Sequence, residues 1–556
     1  MNIFSVYAMT GQKRKTLSNK GRKKNSNLQE PQKNILLQKN KKMKKSIFGL
    51  FALLLSASLA WAQQPLSEDI VFKIKREAFQ NSQIEALAFY LSDYAGPRLA
   101  ASKLGERGEI LSKEKFAELG FSNPRIEKAA DFPKGGWDNL KTYAAMTAPY
   151  YCNFMATPKA WSGSTNGLVQ GEVVLLDVNS VEDVAKYKGK LGNKIVLMPE
   201  TSKYEMQFTP FATRQSDERL EQLALDPRPQ AGRPFRMPSM GTTMELQLRI
   251  RALLIEEKPA VVVSGGGFFN VPRSSSVSYN KYGDPEPIAE LVLPVEDHGR
   301  MVRLINRKIP VSMEVEIKNE FYNNPVINNV IAEIPGTDPK WKDEVVLIGG
   351  HLDSWHGGTG AADNASGCAV MMEALRIIKE VGIKPRRTIR IALWGGEEQG
   401  LIGSRGYLQD LLYDVAANKP RKGYDQFALY LNMDNGSGKF RGIYLEENDM
   451  AFHFLREWIK PLESMGFNVL SPRKTGGTDH LSFDRIGLPA FQFIQDDLEY
   501  GRGYHTAMDT YERLIMADLQ YNAMIVAVLA LSAAMDNNKI PPKPLPTNFS
   551  MQQMRR

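Results

Sequence analysis

From residue 326 onward, short apolar runs alternate with helical stretches, and this alternation constrains the fold more than any other feature of the chain. The apolar runs occupy residues 344–348, 388–394, 427–433 and 489–494. Apolar residues at helical spacing recur at residues 367–379, 404–412, 450–465 and 510–535. Such alternation predicts an α/β fold, with a mostly parallel mixed sheet that helices cover on both faces.

The region before this alternation has a different sequence pattern. Residues 150–325 contain short β-rich runs separated by turn residues, which predicts a smaller β-rich domain inserted into the main one. The predicted division of the chain is a leader and signal peptide (1–62), the N-terminal part of the main domain (63–149), the insertion (150–325), the catalytic part (326–540) and a tail (541–556).

The charge of the chain is concentrated at its N-terminus. Residues 1–45 hold 13 of the 71 lysines and arginines and a single acid, Glu30. The remaining residues carry 58 basic and 61 acidic side chains, a net charge of −3. Because the folded part is close to neutral, the composition argues against a nucleic-acid partner.

A secretory signal is predicted from Met43. Lys44 and Lys45 precede an apolar run at 47–59, and the small-x-small sequence Ala60-Trp61-Ala62 follows. The pattern predicts an exported, periplasmic or secreted protein whose mature chain has no membrane span, with an uncleaved N-terminal anchor as the alternative. The two cysteines of the chain, at positions 152 and 368, are expected to be unpaired.

Side chains that bind metals follow the ends of the predicted strands. They are His351, Asp363, the pair Glu397 and Glu398, Asp434 and His505. Because the carboxyl ends of parallel strands meet at one edge of a sheet, we expect these side chains to converge there. A single histidine or aspartate in a loop is usually only solvated or hydrogen-bonded, so the joint occurrence carries the prediction.

The types of these residues indicate a hydrolytic metal centre. Imidazoles and carboxylates are ligands that zinc prefers, and a catalytic site keeps one position open for water. Five such ligands suit two metals that share one carboxylate and activate a bridging water. A further carboxylate must take the proton from that water and pass it to the leaving amine, and two adjacent glutamates can supply both a ligand and this base.

The motifs around these residues carry a family resemblance. They read GHLDSW at 350–355, GAADNASG at 360–367, WGGEEQG at 394–400, NMD at 432–434, GTDH at 477–480 and YHT at 504–506. The chain resembles the zinc aminopeptidase and carboxypeptidase Q (plasma glutamate carboxypeptidase) family of clan MH, strongly over residues 326–536 and loosely over 66–150. The insertion is similar to the protease-associated domain found in many members.

The resemblance implies a dinuclear zinc centre with a defined ligand set. His351 and Asp434 are expected to hold one zinc ion, and Glu398 and His505 the other. Asp363 is expected to bridge the two ions.

The resemblance also implies roles beside the metals. Glu397 is expected to act as general base and then as general acid. Asp353 is expected to orient the imidazole of His351 through its carboxylate. Tyr500 or Tyr504 is expected to donate a hydrogen bond to the oxyanion.

The sequence therefore predicts an exported zinc exopeptidase, an aminopeptidase or dipeptidase, that acts on peptides or dipeptides. One alternative is a glutaminyl cyclase-like transferase, because three of these ligands suffice to hold a single zinc ion. Another is a non-catalytic binding ectodomain of the same fold, although such proteins lose ligands. The sequence leaves open whether the protein forms a homodimer.

Overall fold

The computed structural model describes residues 66–199, 204, 206–225 and 240–544. The predicted signal segment and the end of the predicted tail lie outside these residues. The described part of the chain contains two eight-stranded sheets and two short two-stranded ribbons, at Tyr413–Asp414 with Lys419–Pro420 and at Gly267–Phe268 with Val271–Pro272.

The first sheet is mixed, with a parallel centre. Its strands, in spatial order, are Ser122–Asp131, Val326–Ile334, Thr388–Trp394, Val345–His351, Phe427–Asn432, Ala490–Gln495, Phe440–Tyr444 and Val469–Ser471. The four strands from Thr388–Trp394 to Ala490–Gln495 are mutually parallel, whereas their outer neighbours run antiparallel. The predicted α/β fold with a mixed sheet is confirmed.

Both faces of this sheet are buried, as the continuous apolar runs predict. On the strand Val345–His351, Val346 and Ile348 face one core, and Leu347 faces the other, because successive side chains of a strand point to opposite faces. The first core includes the helices Glu68–Gln80, Ser366–Val381 and Met516–Met535. The second core lies under Ile402–Tyr407 and His480–Asp484.

The remaining helices of this part are shorter or lie at its periphery. They are Ile84–Phe89, Lys103–Glu118, Lys422–Gln426, Ala451–Ile459 and Tyr500–Gly503, with π or 3-10 segments at Tyr90–Tyr94, Ala361–Ala365, Leu408–Leu412, Lys460–Met465 and Tyr511–Arg513. The final helix begins at Met516 and not at residue 510, because the 3-10 turn Tyr511–Arg513 ends in an extended residue, Leu514.

The second sheet lies in the predicted insertion. Its strands, in spatial order, are Cys152–Asn153, Gly136–Ala148, Ser312–Tyr322, Val169–Leu175, Ile195–Leu197, Val261–Gly265, Glu290–Leu293 and Thr157–Pro158. The helices beside it are Val181–Val184, Asp217–Leu225, Met240–Glu257 and Val295–Asn306, with a 3-10 turn at Ala185–Tyr187. Strand Gly136–Ala148 precedes residue 150, so the sheet takes in residues on both sides of that predicted boundary.

One described helix, Met516–Met535, is long and apolar enough to cross a membrane, but 83% of its most apolar window is buried inside the protein. Burial of this kind is typical of a core helix. Both cysteines are free thiols, as predicted, and Cys368 is buried.

Candidate metal centre

The parallel strands bring the predicted ligands to one edge of the first sheet. His351 is the last residue of its strand, and Glu398 and Asp434 follow the ends of the two strands beside it. Asp363 lies just before the helix Ser366–Val381, and His505 follows the helical turn Tyr500–Gly503. Residues separated by up to 154 positions therefore meet because the strands share a direction.

The five side chains form two trios that share one carboxylate. Nε2 of His351 lies 3.2 Å from Oδ1 of Asp363 and 3.3 Å from Oδ1 of Asp434. Nε2 of His505 lies 3.3 Å from Oδ2 of Asp363 and 2.9 Å from Oε2 of Glu398. Within each trio the ligand atoms lie within 4.8 Å of one another, so each trio could hold one metal ion.

The chemistry of these groups fits metal ions. Nε2 of His351, Oδ2 of Asp363 and Oε1 of Glu398 are buried, and none has a hydrogen-bond partner among the described residues. Orphaned buried polar atoms are costly unless something satisfies them. A cation within each trio would satisfy these three atoms and offset the repulsion among the buried carboxylates.

The imidazole of His351 is fixed by its other nitrogen. Nδ1 lies 2.9 Å from the backbone oxygen of Asp353. Because a carbonyl oxygen can only accept, Nδ1 carries the proton and the lone pair of Nε2 faces Asp363 and Asp434. A histidine in this tautomer is ready to ligate a metal.

The carboxylate of Asp353 has a different role from the one expected. It lies 3.8 Å from Nδ1 of His351, beyond a hydrogen bond, and instead accepts from the N–H groups of Glu397 at 3.0 Å and Glu398 at 3.3 Å. The backbone carbonyl, and not the carboxylate, orients the imidazole, because the carboxylate is already engaged by the turn after strand Thr388–Trp394. Asp353 therefore positions the glutamate pair.

Burial or neighbouring charges raise the pKa values of the two glutamates and of His505. Burial raises the pKa of Glu397 well above its ordinary value, and Asp479 adds to the shift. Burial also raises the pKa of Glu398 to about 8. Burial lowers the pKa of His505, but its contacts with Asp363 and Glu398 outweigh this and raise the pKa to about 9. The site is thus rich in negative charge and attracts cations.

The two predicted tyrosines border the site differently. The ring of Tyr504 stacks on His505, with centroids 3.5 Å apart, and the side chain is partly exposed. Tyr500 lies behind it, with ring centroids 5.4 Å apart. Burial raises the pKa of Tyr500 well above its ordinary value, and the charges of Asp363 and Asp434 raise it further, so its hydroxyl stays protonated and able to donate.

Sequence reasoning missed Arg98, which secures the loops that carry the ligands. Arg98 is 1% exposed, and its guanidinium donates to the backbone oxygens of Leu352 at 2.7 Å, Thr359 at 2.7 Å and Gly360 at 2.8 Å. It also donates to Leu91 and Gly96. The arginine therefore ties the N-terminal helices to the ligand loops.

Three further residues were missed or left without a role. The carboxylate of Asp509 accepts from the N–H groups of Ala362 and Asp363, and so supports the shared ligand. Nε1 of Trp355 donates to Oε2 of Glu398 at 2.6 Å. Asp479 is fully buried. The GTDH and HLDSW motifs contain Asp479 and Trp355, but no local pattern assigns them partners far along the chain.

The residues of this centre lie within the part of the chain that matches a known family. Residues 329–530 match the model of Peptidase family M28. The chain therefore contains a peptidase family M28 domain. The predictions of family and of a metallopeptidase are confirmed.

Two curated proteins are similar to half or more of the chain. Carboxypeptidase Q of Mus musculus is 25% identical over 469 residues, which cover 83% of this chain and 88% of that protein. Aminopeptidase YwaD of Bacillus subtilis (strain 168) is 26% identical over 287 residues, which cover 50% of this chain and 58% of that protein.

Solved structures share the fold. A peptidase M28 precursor from Shewanella amazonensis SB2B aligns with a TM-score of 0.63 and 22% identity, covering 86% of this chain and 99% of that chain. BSAP, a zinc aminopeptidase from Bacillus subtilis, aligns with a TM-score of 0.52 and 19% identity, covering 81% of this chain and 94% of that chain. Both alignments extend beyond the family match, so the likeness of fold includes much of the insertion.

Proposed function

We propose that this M28 peptidase is an exported exopeptidase, an aminopeptidase or dipeptidase, that uses two zinc ions. The observation that carries the proposal is the pair of ligand trios that share Asp363, with one carboxylate oxygen directed to each histidine. His351 and Asp434 would hold one ion, and Glu398 and His505 the other. Two neighbouring ions sharing one carboxylate are a common arrangement in hydrolases.

Bound zinc supplies Lewis acidity, which lowers the pKa of a water molecule and polarises the scissile carbonyl. The protein supplies the proton transfers. Glu397 is adjacent to the ligand Glu398 but belongs to neither trio, and its raised pKa suits a group that takes a proton from water and returns it to the leaving amine. Asp353 holds the backbone of Glu397 in place. The protonated hydroxyl of Tyr500 would donate to the oxyanion.

The names of the similar proteins support this proposal. BSAP is described as a zinc aminopeptidase, YwaD as an aminopeptidase and the mouse relative as carboxypeptidase Q. All three names are compatible with cleavage near a chain end. Zinc is the metal that the ligand set of two histidines and three carboxylates also favours.

The first test separates the base from the shared ligand. We expect Glu397→Gln to keep both zinc ions but to lower kcat by about 10²- to 10⁴-fold, since only the proton transfer is lost. Asp363→Asn should lose zinc as well as activity. Zinc content by elemental analysis and turnover of a peptide substrate would be measured on the same preparations. Near-normal turnover by Glu397→Gln would contradict the mechanism.

A panel of free dipeptides, aminoacyl anilides and N-blocked peptides, with and without chelator, tests the substrate class. Cleavage of the aminoacyl anilides and dipeptides, but not of the N-blocked peptides, would support an aminopeptidase. Cleavage of the dipeptides alone would support a dipeptidase. Activity only on the blocked peptides would contradict both. Ammonia release from peptides with N-terminal glutamine would instead favour the glutaminyl cyclase-like alternative.

Export belongs to the same proposal. It is supported by the positive, apolar and small-x-small pattern at residues 43–62. Determination of the N-terminal residue of the protein recovered outside the cytoplasm would test it, with Gln63 expected. A cytoplasmic product that retains residues 43–62 would overturn it.

A further inference from the structure

A short segment of the predicted insertion lies beside the metal centre. Ser274 lies beside the loop that carries His505, and Arg273 pairs with Thr506 in an antiparallel bridge. Ser274 is 1% exposed and, together with Trp355, Asp363 and Glu398, lines a pocket at the site. A residue of the predicted insertion thus forms part of the wall of the proposed metal centre.

Ser274 makes two hydrogen bonds to the backbone of a proposed ligand. Its N–H donates to the backbone oxygen of His505 at 2.8 Å, and its hydroxyl donates to the same oxygen at 3.0 Å. A carbonyl oxygen has two lone pairs, so both bonds can form together. The two donors hold the peptide unit that follows the Cα atom of His505.

This support matters because the backbone of His505 is strained. Its φ angle is +57°, in the left-handed region. A side chain with a Cβ atom pays a cost there, and such a conformation persists only when the surroundings impose it. The imidazole reaches Asp363 and Glu398 from this backbone conformation. The two bonds from Ser274 hold the peptide unit on which this backbone conformation of His505 depends.

We propose that Ser274 is a positioning residue for the metal centre: it holds His505 in its ligating conformation, and the insertion thereby controls the zinc site formed by Glu398 and His505. The proposal rests on the proposed function, because it concerns one of the two ions. The ion held by His351 and Asp434 should depend on Ser274 much less. Since coupling between two events is reciprocal, zinc binding should in turn hold the segment at Ser274.

The first experiment measures zinc affinity site by site. Ser274→Ala removes the hydroxyl donor and keeps the backbone N–H. We expect the affinity for one of the two zinc ions to fall about 10-fold and the affinity for the other to change less than twofold. Competition with a chromophoric chelator would measure both affinities. The matched control is Ser276→Ala, the same substitution two residues along, where the backbone pairs with Ala160 and not with His505. We expect the control to bind both ions as the natural protein does.

A second variant perturbs the same contact from the opposite side. A Cβ atom on Gly357 would lie 2.6 Å from Cβ of Ser274, so Gly357→Ala should push Ser274 away from His505. We expect the same single-site loss of zinc affinity. Circular dichroism would identify any variant that fails to fold, and Ser274→Ala would then decide, because removal of one hydroxyl leaves the packing intact.

The reciprocal effect gives a readout that a merely structural role would not produce. We expect the amide hydrogen of Ser274 to exchange with solvent at least 10-fold more slowly when zinc is bound, and Ser274→Ala to reduce the zinc-dependent protection of the neighbouring amides. Unchanged affinity at both sites in folded Ser274→Ala and Gly357→Ala would overturn the inference. A natural protein that binds one ion or none would instead overturn the proposed dinuclear centre.

Discussion

At the residue scale, one half-buried carboxyl outside the metal centre makes stability depend on pH through its protonation. Glu109 lies on the helix Lys103–Glu118 and accepts from Nδ2 of Asn328 at 2.9 Å. Burial raises the pKa of Glu109 to about 7, and the bond from Asn328 offsets only part of the effect. The native state therefore binds a proton that the unfolded chain releases at lower pH.

This shift predicts a pH-dependent stability. The folded pKa is raised, so the stability associated with the neutral carboxyl is fully present below pH 4.5 and is lost as the pH rises to about 7. We expect Glu109→Gln to be more stable than the natural protein at pH 8, on the order of 1–3 kcal/mol, and nearly equal to it at pH 4. Urea unfolding at both pH values would measure the difference.

The control for this prediction is Glu114→Gln, which changes an exposed glutamate on the same helix that does not contribute to the pKa shift of Glu109. It should leave the pH profile unaltered. An equal effect of both variants, or a gain at pH 4 as large as at pH 8, would contradict the assigned protonation of Glu109.

At the scale of elements, the start of one helix ties two ligand loops together. Asn364 precedes the helix Ser366–Val381 and is fully buried. Its side-chain oxygen accepts from the N–H of Gly367 at 3.1 Å, and its amide donates to the backbone oxygen of Met433 at 2.7 Å. Asp363 is adjacent to Asn364, and Asp434 is adjacent to Met433. This one side chain therefore fixes the spacing between two proposed ligands.

Loss of this link should affect both stability and metal binding. We expect Asn364→Ala to lower the free energy of unfolding by about 2 kcal/mol, since it leaves a buried N–H and a buried carbonyl unsatisfied. Zinc should bind more weakly as well. Asn468→Ala, on an exposed asparagine, is the control. A folded Asn364→Ala protein with natural stability and zinc affinity would contradict this account of the loop.

At the scale of the whole molecule, segments outside the strands of the two sheets contact each other near the metal edge. Arg214 pairs with Asp496 at 2.7 Å and with Asp518 at 2.8 Å, so the insertion is held to the first sheet at a second point besides Ser274. Asp496 directly follows the central strand Ala490–Gln495 and is fully buried. The metal centre therefore lies close to contacts that join both parts of the structure.

Metal removal should thus destabilise the protein as a whole. A ligand at a thousand times its Kd stabilises the native state by about 4 kcal/mol. We expect a strong chelator to lower the Tm on the order of 5 °C, because a given free energy shifts the Tm less in a long chain. In Asp363→Asn the chelator should have almost no effect. Equal shifts in both proteins, measured by scanning calorimetry, would show that the chelator acts elsewhere.

Much of the fold could be predicted because it depends on local patterns. The strand Thr388–Trp394 was predicted to the residue, since an apolar run bounded by Arg387 and Gly395 has one interpretation. The start of the last helix was wrong, because the apolar spacing continues through a turn that only the geometry at Leu514 interrupts. The sheet at the insertion begins earlier than residue 150, because Gly136–Ala148 pairs with a strand more than 160 residues away.

The sequence by itself determined the ligand types and their order along parallel strands, because the direction of a strand fixes the edge at which its end lies. Tertiary structure decided which contacts hold each ligand side chain in place. The roles of Arg98, of the Asp353 carboxylate and of Ser274 depend on contacts between segments about 40 to 260 residues apart. Such contacts leave no periodic trace in a sequence, because hydrogen bonds to backbone groups require a position and not a particular partner residue.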